Sequence, residues 1–392
     1  MIRTMTRGRA AAVIAGAAAL SLVLAGCGTS NGGGKGGEAV EKLGENEGKI
    51  SILAWPALAE DGTNDPSVDW VTPFEEATGC QAEIKTFGTS DEAFSLMKTG
   101  SYDVVSASGD ASLRMVAAGI VQPVNTDLLK NYDDIYDYLK DKPWNTVDGE
   151  SYGVPHGYGA NVLLYDKTAF PEAPTSWDVV FDKASQNSGK ITAYDSPIYI
   201  ADAAVYLMAH QPELGIENPY SLDQKQFDAA IDLLKQQRAH VSEYWADYLK
   251  EVQSFQSGAT VAGTSWQVIQ NTLDAEGGNT AVTLPEEGAT GWSDTWMISS
   301  KTEAPNCSYA WLDYIASPEA NAAATAYFGE APSSQAACDF RDDCDVYHAG
   351  DAEYADQIWY WTTPIEECLD GRTDVTCVDY AAWTKAWQEI KG

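Results

Sequence analysis

From Lys49 to Gly119 the chain alternates short apolar runs with amphipathic ones. KISILAW (49–55) is β-branched and apolar, the composition of a buried strand. Asp65 and Pro66 open a helix that carries Trp70 and Phe74 and stops at Gly79. CQAEIKTF follows as a strand. Thr89-Ser90-Asp91-Glu92 has the make-up of a helix start, and the helix runs to Gly100. SYDVVSAS is a third strand, and Asp110 to Gly119 a third helix. Strands that alternate with helices cover both faces of a sheet. The expectation is a three-layer α/β lobe with a parallel sheet.

Beyond Val154 the pattern changes. VPHGYGANVLLYD frames a strand that leads into a second lobe. SWDVVFD reads as a short helix, GKITAYD as a strand and IADAAVYLMAH as an amphipathic helix. FDAAIDLLKQQRAHV is a helix with Phe227, Ile231, Leu234 and the Val241 end on one face. GATVAGTSW is strand then turn, VIQNTLDAEG a helix, NTAVTLP and WMISS strands. SYAWLDYIASPEANAAATAYFG reads as two helices broken at Ser317-Pro318. The expected partition is a first lobe over 49–153, a second over 154–288 and a return to the first over 289–334. A cysteine-containing segment, 335–392, is expected to pack on the second lobe. Two α/β lobes joined by crossing strands enclose a cleft, and ligands of such sheets gather at strand carboxyl ends.

The ends of the chain set its compartment. Arg3, Arg7 and Arg9 precede a short run of small apolar residues that is too short and wrongly flanked to span a bilayer, which makes residues 1–26 a secretory signal. Residues 27–48 are rich in Gly, Ser, Asn and charge and read as a flexible tether. Cys27 aside, six of the seven cysteines remain: Cys80, Cys307, Cys338, Cys344, Cys368 and Cys377. An even number in an exported chain points to three disulfides, with fifteen connectivities open. The local pairs Cys338–Cys344 and Cys368–Cys377 are simplest, which leaves Cys80–Cys307 as the long-range bond. A zinc site is the rival, but the four histidines show no ligand spacing with these cysteines. The net charge of −34 excludes a nucleic-acid partner; it suits either a solvated acidic surface or the attraction of cations.

One stretch points to the second. GWSDTW (291–296) leads into WMISS, so alternation puts Trp292, Asp294 and Trp296 on one strand face. A buried carboxylate between tryptophans is costly unless something pairs with it. A cation from outside the chain would do so, and the stretch lies where one lobe returns to the other.

Leu24-Ala25-Gly26-Cys27 resembles the lipobox of bacterial lipoproteins, in which the Cys is acylated and becomes the first mature residue. The ordered set ISILAW, FEEATGC, SYDVV, VPHGYGANVLLYD, TSWDVVFD, GATVAGTSW and GWSDTW resembles the extracytoplasmic solute-binding proteins of ABC importers, most of all the spermidine/putrescine-binding type. The resemblance runs from about Lys49 to about Ser334. It implies a two-lobed, type II periplasmic-binding-protein fold that closes on a small cationic solute without a cofactor. The protein would be an exported monomer, held by lipid to the outer face of the cytoplasmic membrane and served by permease subunits and a cytoplasmic ATPase. It also implies site residues. Trp292 and Asp294 match the family's Trp-x-Asp pair, Trp266 a second wall, Trp55 a first-strand Trp and Asp195 an acid near the far end. A neighbouring family acid is Ile198 here, a family Tyr is Leu58, and two further Tyr positions are the acids Asp110 and Glu330. Each has a plainer role beside it. Trp55 and Trp266 suit core packing, Asp195 a turn before Ser-Pro, and Asp110 the N-cap of its helix. The aromatic run Trp359–Trp361 suits packing as well as a cleft wall.

Three other functions were weighed against this one: a binding protein for another solute (an amino acid, peptide, thiamine-like compound or sugar), a secreted hydrolase with a carboxylate pair, and a structural lipoprotein. Ammonium groups offer three donors and no acceptor, which suits carboxylates, while an iron or phosphonate site would call for other residues. GxSxG occurs at 28–32, inside the tether, and at 149–153, neither at an expected strand-to-helix turn, and no HExxH, Cys-His arrangement or phosphate loop is present.

Overall fold

The computed structural model describes residues 39–392. The signal, Cys27 and the tether up to residue 38 lie outside the described residues. Ala39–Gly48, expected as tether, is held down instead. Val40 and Leu43 pack on the core, and Glu47 accepts the backbone N–H groups of Asn306 and Cys307. Those groups open a helix and have no partner inside it, so an acid there is well placed.

The chain first runs β1 (Lys49–Ala54), α1 (Val71–Thr78), β2 (Gln81–Thr86), α2 (Ser90–Met97), β3 (Val104–Ala107), α3 (Gly109–Ala117) and β4 (Val121–Gln122). Thr89 caps α2 through Glu92, and Gly79 ends α1 at φ 74°, a left-handed position that glycine fills without strain. α1 starts later than the Asp65-Pro66 signal suggests, because Asp65 takes the N–H of Ser67 on its side chain and that of Val68 on its carbonyl, making a turn. A hairpin, β5 (Thr146–Val147) and β6 (Glu150–Ser151), leads to β7 (Val154–Ala160).

One residue, Asn161, separates β7 from β8 (Val162–Asp166), the first strand of a second sheet. That sheet is completed by β9 (Ile191–Tyr194), β10 (Val241–Trp245), β11 (Ala262–Ser265) and β12 (Thr280–Thr283), in the order β10-β9-β11-β8-β12. Its helices are α4 (Ile200–His210), α5 (Gln224–Arg238), α6 (Tyr248–Gln256) and α7 (Gln267–Ala275). SWDVVFD yields only a 3-10 turn, Trp177–Val179, and Val241 begins a strand rather than ending a helix. The chain returns through β13 (Ala289–Ser299), then α8 (Pro305–Ile315), α9 (Pro318–Phe328), β14 (Ala331–Pro332), α10 (Ala352–Ala355), β15 (Ile358–Tyr360) and α11 (Tyr380–Lys391).

The first sheet has the order β14-β7-β13-β3-β1-β2, with β4 and β15 against β13. β1 lies parallel to β2 and β3, as the alternation requires. β13 is antiparallel to both β3 and β7, so the sheet is mixed rather than parallel. The reason is topological: β7 carries the chain out toward the second sheet and β13 carries it back. Because β7 belongs to the first sheet, the crossing falls at Asn161 and not at Val154. The tail divides as well. Residues 335–339 pack on α9, β15 joins the first sheet, and Arg372, Cys377, Val378 and α11 lie on the second lobe. The cysteines form Cys80–Cys307, Cys338–Cys344 and Cys368–Cys377, which leaves none of the six for zinc.

Candidate ligand site

Four strands end at one place. Trp55 follows β1, Ser108 follows β3, Asp195 follows β9 and Trp266 follows β11, so both sheets present carboxyl ends to the space between them. β13 runs through that space with every residue buried. On one face it carries Trp292, Asp294 and Trp296. The first two meet the site, while Trp296 continues into the core against Trp311, with ring centroids 5.3 Å apart.

Neighbouring glycines make room for this face. A Cβ on Gly159 would stand 2.3 Å from the Trp292 ring, and one on Gly157 2.2 Å from Oε1 of Glu330. The two glycines alternate along β7, so HGYGA is a strand that leaves one face bare for bulky neighbours. Opposite Asp294 the pairing skips His156, a bulge that shifts the register before Pro155.

Three carboxylates gather there: Asp110, Asp294 and Glu330 are 3, 2 and 1 % exposed. Ser108 Oγ donates to Asp294 at 2.5 Å, so this hydroxyl, which precedes α3, serves the carboxylate instead of capping its helix. Trp292 Nε1 donates to Glu330 Oε2 at 2.9 Å, and Oε1 has no partner among the described residues. Asp110 sits in the first turn of α3 rather than at its cap. It accepts from Ser90 Oγ at 2.9 Å and, at 3.5 Å, from the Tyr380 hydroxyl of α11. Burial drives all three upward from the ordinary carboxylate range, Asp110 to about 6. The negative charges of Asp110 on Asp294, and of Asp294 on Glu330, add to this. None of the three forms an ion pair among the described residues. The cations that act on them, Arg114 and Arg341, are themselves paired to Asp91 and Asp343.

Aromatic rings close around the acids. Trp266 lies 5.2 Å from Trp292, Trp292 6.0 Å from Trp361, Trp361 5.7 Å from Tyr194 and Tyr194 5.4 Å from Trp266. The four rings thus make a closed circuit drawn from both sheets and the tail. Asp110 and Asp294 both act electrostatically on the Tyr194 hydroxyl. A narrow cavity continues beside Trp292 and Glu330, lined also by Tyr158, Gln267, Tyr347 and Tyr360.

Sequence reading named Trp266, Trp292, Asp294, Asp110 and Glu330, and the structure brings them together. It does not bring Asp195 or Trp55 into the circuit. Asp195 is held by Lys391 Nζ at 2.5 Å and Trp387 Nε1 at 3.0 Å, both from α11. Trp55 packs on Phe87, with centroids 4.4 Å apart, and its backbone N–H donates to Ser106 Oγ. Sequence reading missed Ser108, Tyr194 and Tyr380, and it left the run Trp359–Trp361 between packing and a cleft wall. A Ser directly after a strand and an aromatic before the Asp-Ser-Pro turn are the local signals available; nothing local marks Tyr380.

Known proteins resemble this chain in sequence and in fold. Residues 69–345 match the family model described as bacterial extracellular solute-binding protein. A putrescine/agmatine-binding protein of Pseudomonas aeruginosa is 25% identical over 293 residues, covering 69% of this chain and 77% of that one. The crystal structure of the spermidine/putrescine substrate-binding protein PotD from Streptococcus pneumoniae superposes with a TM-score of 0.67 at 17% identity, covering 87% of this chain and 97% of that one. The TpPotD lipoprotein of Treponema pallidum does so at 0.70 and 15%, covering 88% and 99%. Two lobes, a cleft at their strand ends and a family match over most of its length make this chain a member of the bacterial extracellular solute-binding protein family.

Proposed function

We propose that this protein captures a small organic cation, a diamine or related polyamine, and passes it to an ABC permease driven by a cytoplasmic ATPase. The single observation that carries this is the trio Asp110, Asp294 and Glu330: three buried carboxylates linked through the field of Asp294, beside an aromatic circuit and without an ion pair among the described residues. Burying a charge without a partner is costly, and an ammonium supplies both charge and donors. Its methylene chain suits the indole faces, and a desolvated cation over Trp gains about 2 kcal/mol. A relative named for putrescine and agmatine supports the same chemistry.

The trio does not suit an anionic solute, and capture needs no catalytic step. Acylation of Cys27, expected from Leu-Ala-Gly-Cys, would hold the protein as a monomer on the outer membrane face with the described residues free to meet the permease. No helix among the described residues is long and apolar enough to cross a membrane, which fits an anchor made by lipid alone.

The test is isothermal titration calorimetry against putrescine, cadaverine, agmatine, spermidine, lysine, GABA and a neutral sugar. Micromolar or tighter binding of an amine, about 8 kcal/mol, is expected, with no heat from the sugar. Binding of the sugar or GABA with silence from every amine would refute the proposal.

A further inference from the structure

The three site carboxylates are almost wholly buried, so a solute reaches them only after the lobes part. Two of the strands that join the sheets cross at Asn161 and at the start of β13. At this crossing the chain carries a polar chain of its own. Asn161 N–H donates to the Thr290 carbonyl at 2.8 Å, which ties the outgoing strand to the returning one. Asn161 Nδ2 donates to Thr290 Oγ1 at 2.6 Å, and Thr290 Oγ1 donates to Asp202 Oδ2 at 3.0 Å. At the other end Trp266 Nε1 donates to Asn161 Oδ1 at 2.9 Å. Every donor points the same way: indole to amide, amide to hydroxyl, hydroxyl to carboxylate. Asn161 and Thr290 are fully buried, and Asp202 Oδ1 has no partner among the described residues.

Two features set this chain apart from ordinary satisfaction of buried groups. Thr290 lies in β13 of the first sheet while Asp202 and Trp266 belong to the second lobe, so movement of the first sheet against that lobe strains the links that Thr290 makes to Asn161 and Asp202. The polar chain also ends on a wall of the ligand site, because Trp266 is the ring that faces both Trp292 and Tyr194. Among the described residues the indole N–H donates to the Asn161 amide oxygen alone. The orientation of that wall is therefore tied to the angle of the crossing strands.

We infer that Asn161, held by Thr290 and Asp202, is the positioning residue that sets the Trp266 wall according to whether the lobes are closed. Asn161 and Thr290 need not touch the solute; they act through Trp266 and through the crossing. Loss of the Thr290 hydroxyl removes the acceptor of Asn161 Nδ2 and the donor to Asp202 Oδ2, leaving only the direct influence of Asn161 on Asp202, and is expected to weaken the closed state.

This rests on the solute-binding reading, and its test separates the two. Thr290→Val keeps shape but removes the hydroxyl; Thr290→Ser keeps the hydroxyl. Without any solute, small-angle scattering and acrylamide quenching of tryptophan are compared across wild type and both variants, with circular dichroism as the check on folding. Thr290→Val is expected to be more extended and more quenchable, and Thr290→Ser to match wild type. With the amine that binds best, stopped-flow tryptophan fluorescence should show release about tenfold faster for Thr290→Val at an unchanged association rate, restored in Thr290→Ser. Wild-type scattering and quenching in Thr290→Val would overturn the inference whether or not any amine binds. Wild-type release from that variant would overturn it too, while silence of every amine with wild type would count against the solute reading alone.

Discussion

Asp294 and Asp195 are both carboxylates at the cleft side of a strand, and they meet opposite fates. Asp195 has a cation from its own chain: Lys391, the penultimate residue, reaches back to it with Trp387 alongside. Asp294 has a serine hydroxyl, two other acids in its field and no ion pair among the described residues. The sequence reading gave both the same role. The difference teaches that a site for a cation is marked by a carboxylate that the fold leaves uncompensated, not by an acid near an aromatic residue. An acid already neutralised inside the molecule has little left to offer a ligand.

That contrast can be broken, and the largest effect comes from the wall. Trp292→Ala removes a ring of the circuit and the donor to Glu330, leaving a buried acid with both oxygens unpartnered. A loss of about 3–5 kcal/mol in stability is expected in urea unfolding, with amine binding abolished. Unchanged unfolding would show that Trp292 does not support the acid trio. Gly157→Ala places a methyl into the Glu330 carboxylate and should cost about 1–3 kcal/mol in the same assay, while Gly189→Ala tests only the strain of a positive φ, with nothing within 4 Å.

pH sharpens the contrast. Asp110 is raised to about 6 and Asp202 to about 8, in each case first by burial, and Asp294 is raised as well. Such acids hold protons in the folded state that the unfolded chain releases near pH 4. Their stabilising effect is complete below that pH and is lost as pH rises through the raised values. The ligand-free protein should therefore lose melting temperature between pH 5 and 8. An amine needs the carboxylates ionised, so its affinity should rise over the same window, with proton release visible as a buffer-dependent binding enthalpy. Affinity independent of pH would place the ligand away from the trio. The smallest effect belongs to the paired acid: Lys391→Ala should cost up to about 1 kcal/mol, because both partners are partly exposed, and should change amine affinity less than threefold.

What the sequence made legible followed from local rules. Period and composition gave the strand–helix alternation of the first lobe, the lone face of GWSDTW and the N-cap at Thr89. Parity and loop length favoured the three disulfides that the structure contains. The resemblance supplied Trp266 and Glu330 as site residues. What stayed hidden depended on distant partners. Lys391 reaches Asp195 across 196 positions, and Ser108 reaches Asp294 across 186, with nothing in either segment to announce the other. The mixed first sheet follows from where β7 and β13 cross, which periodicity does not report. Tyr194 and Trp361 come together only because the tail returns to the first sheet through β15 before laying α11 on the second lobe. Gly157 and Gly159 were visible only as part of a strand leading to the second lobe, whereas their use is to leave space for Glu330 and Trp292.

The central claim is that the uncompensated acid, and not the paired one, receives the cation. The most direct measurement is calorimetric titration of Asp294→Asn and Asp195→Asn, side by side with wild type, using the amine that wild type binds best. Both substitutions keep shape and remove charge. The account predicts at least a hundredfold loss for Asp294→Asn and near wild-type affinity for Asp195→Asn. A wild-type isotherm from Asp294→Asn together with loss in Asp195→Asn would contradict it, and would move the site to the Lys391 end of the cleft.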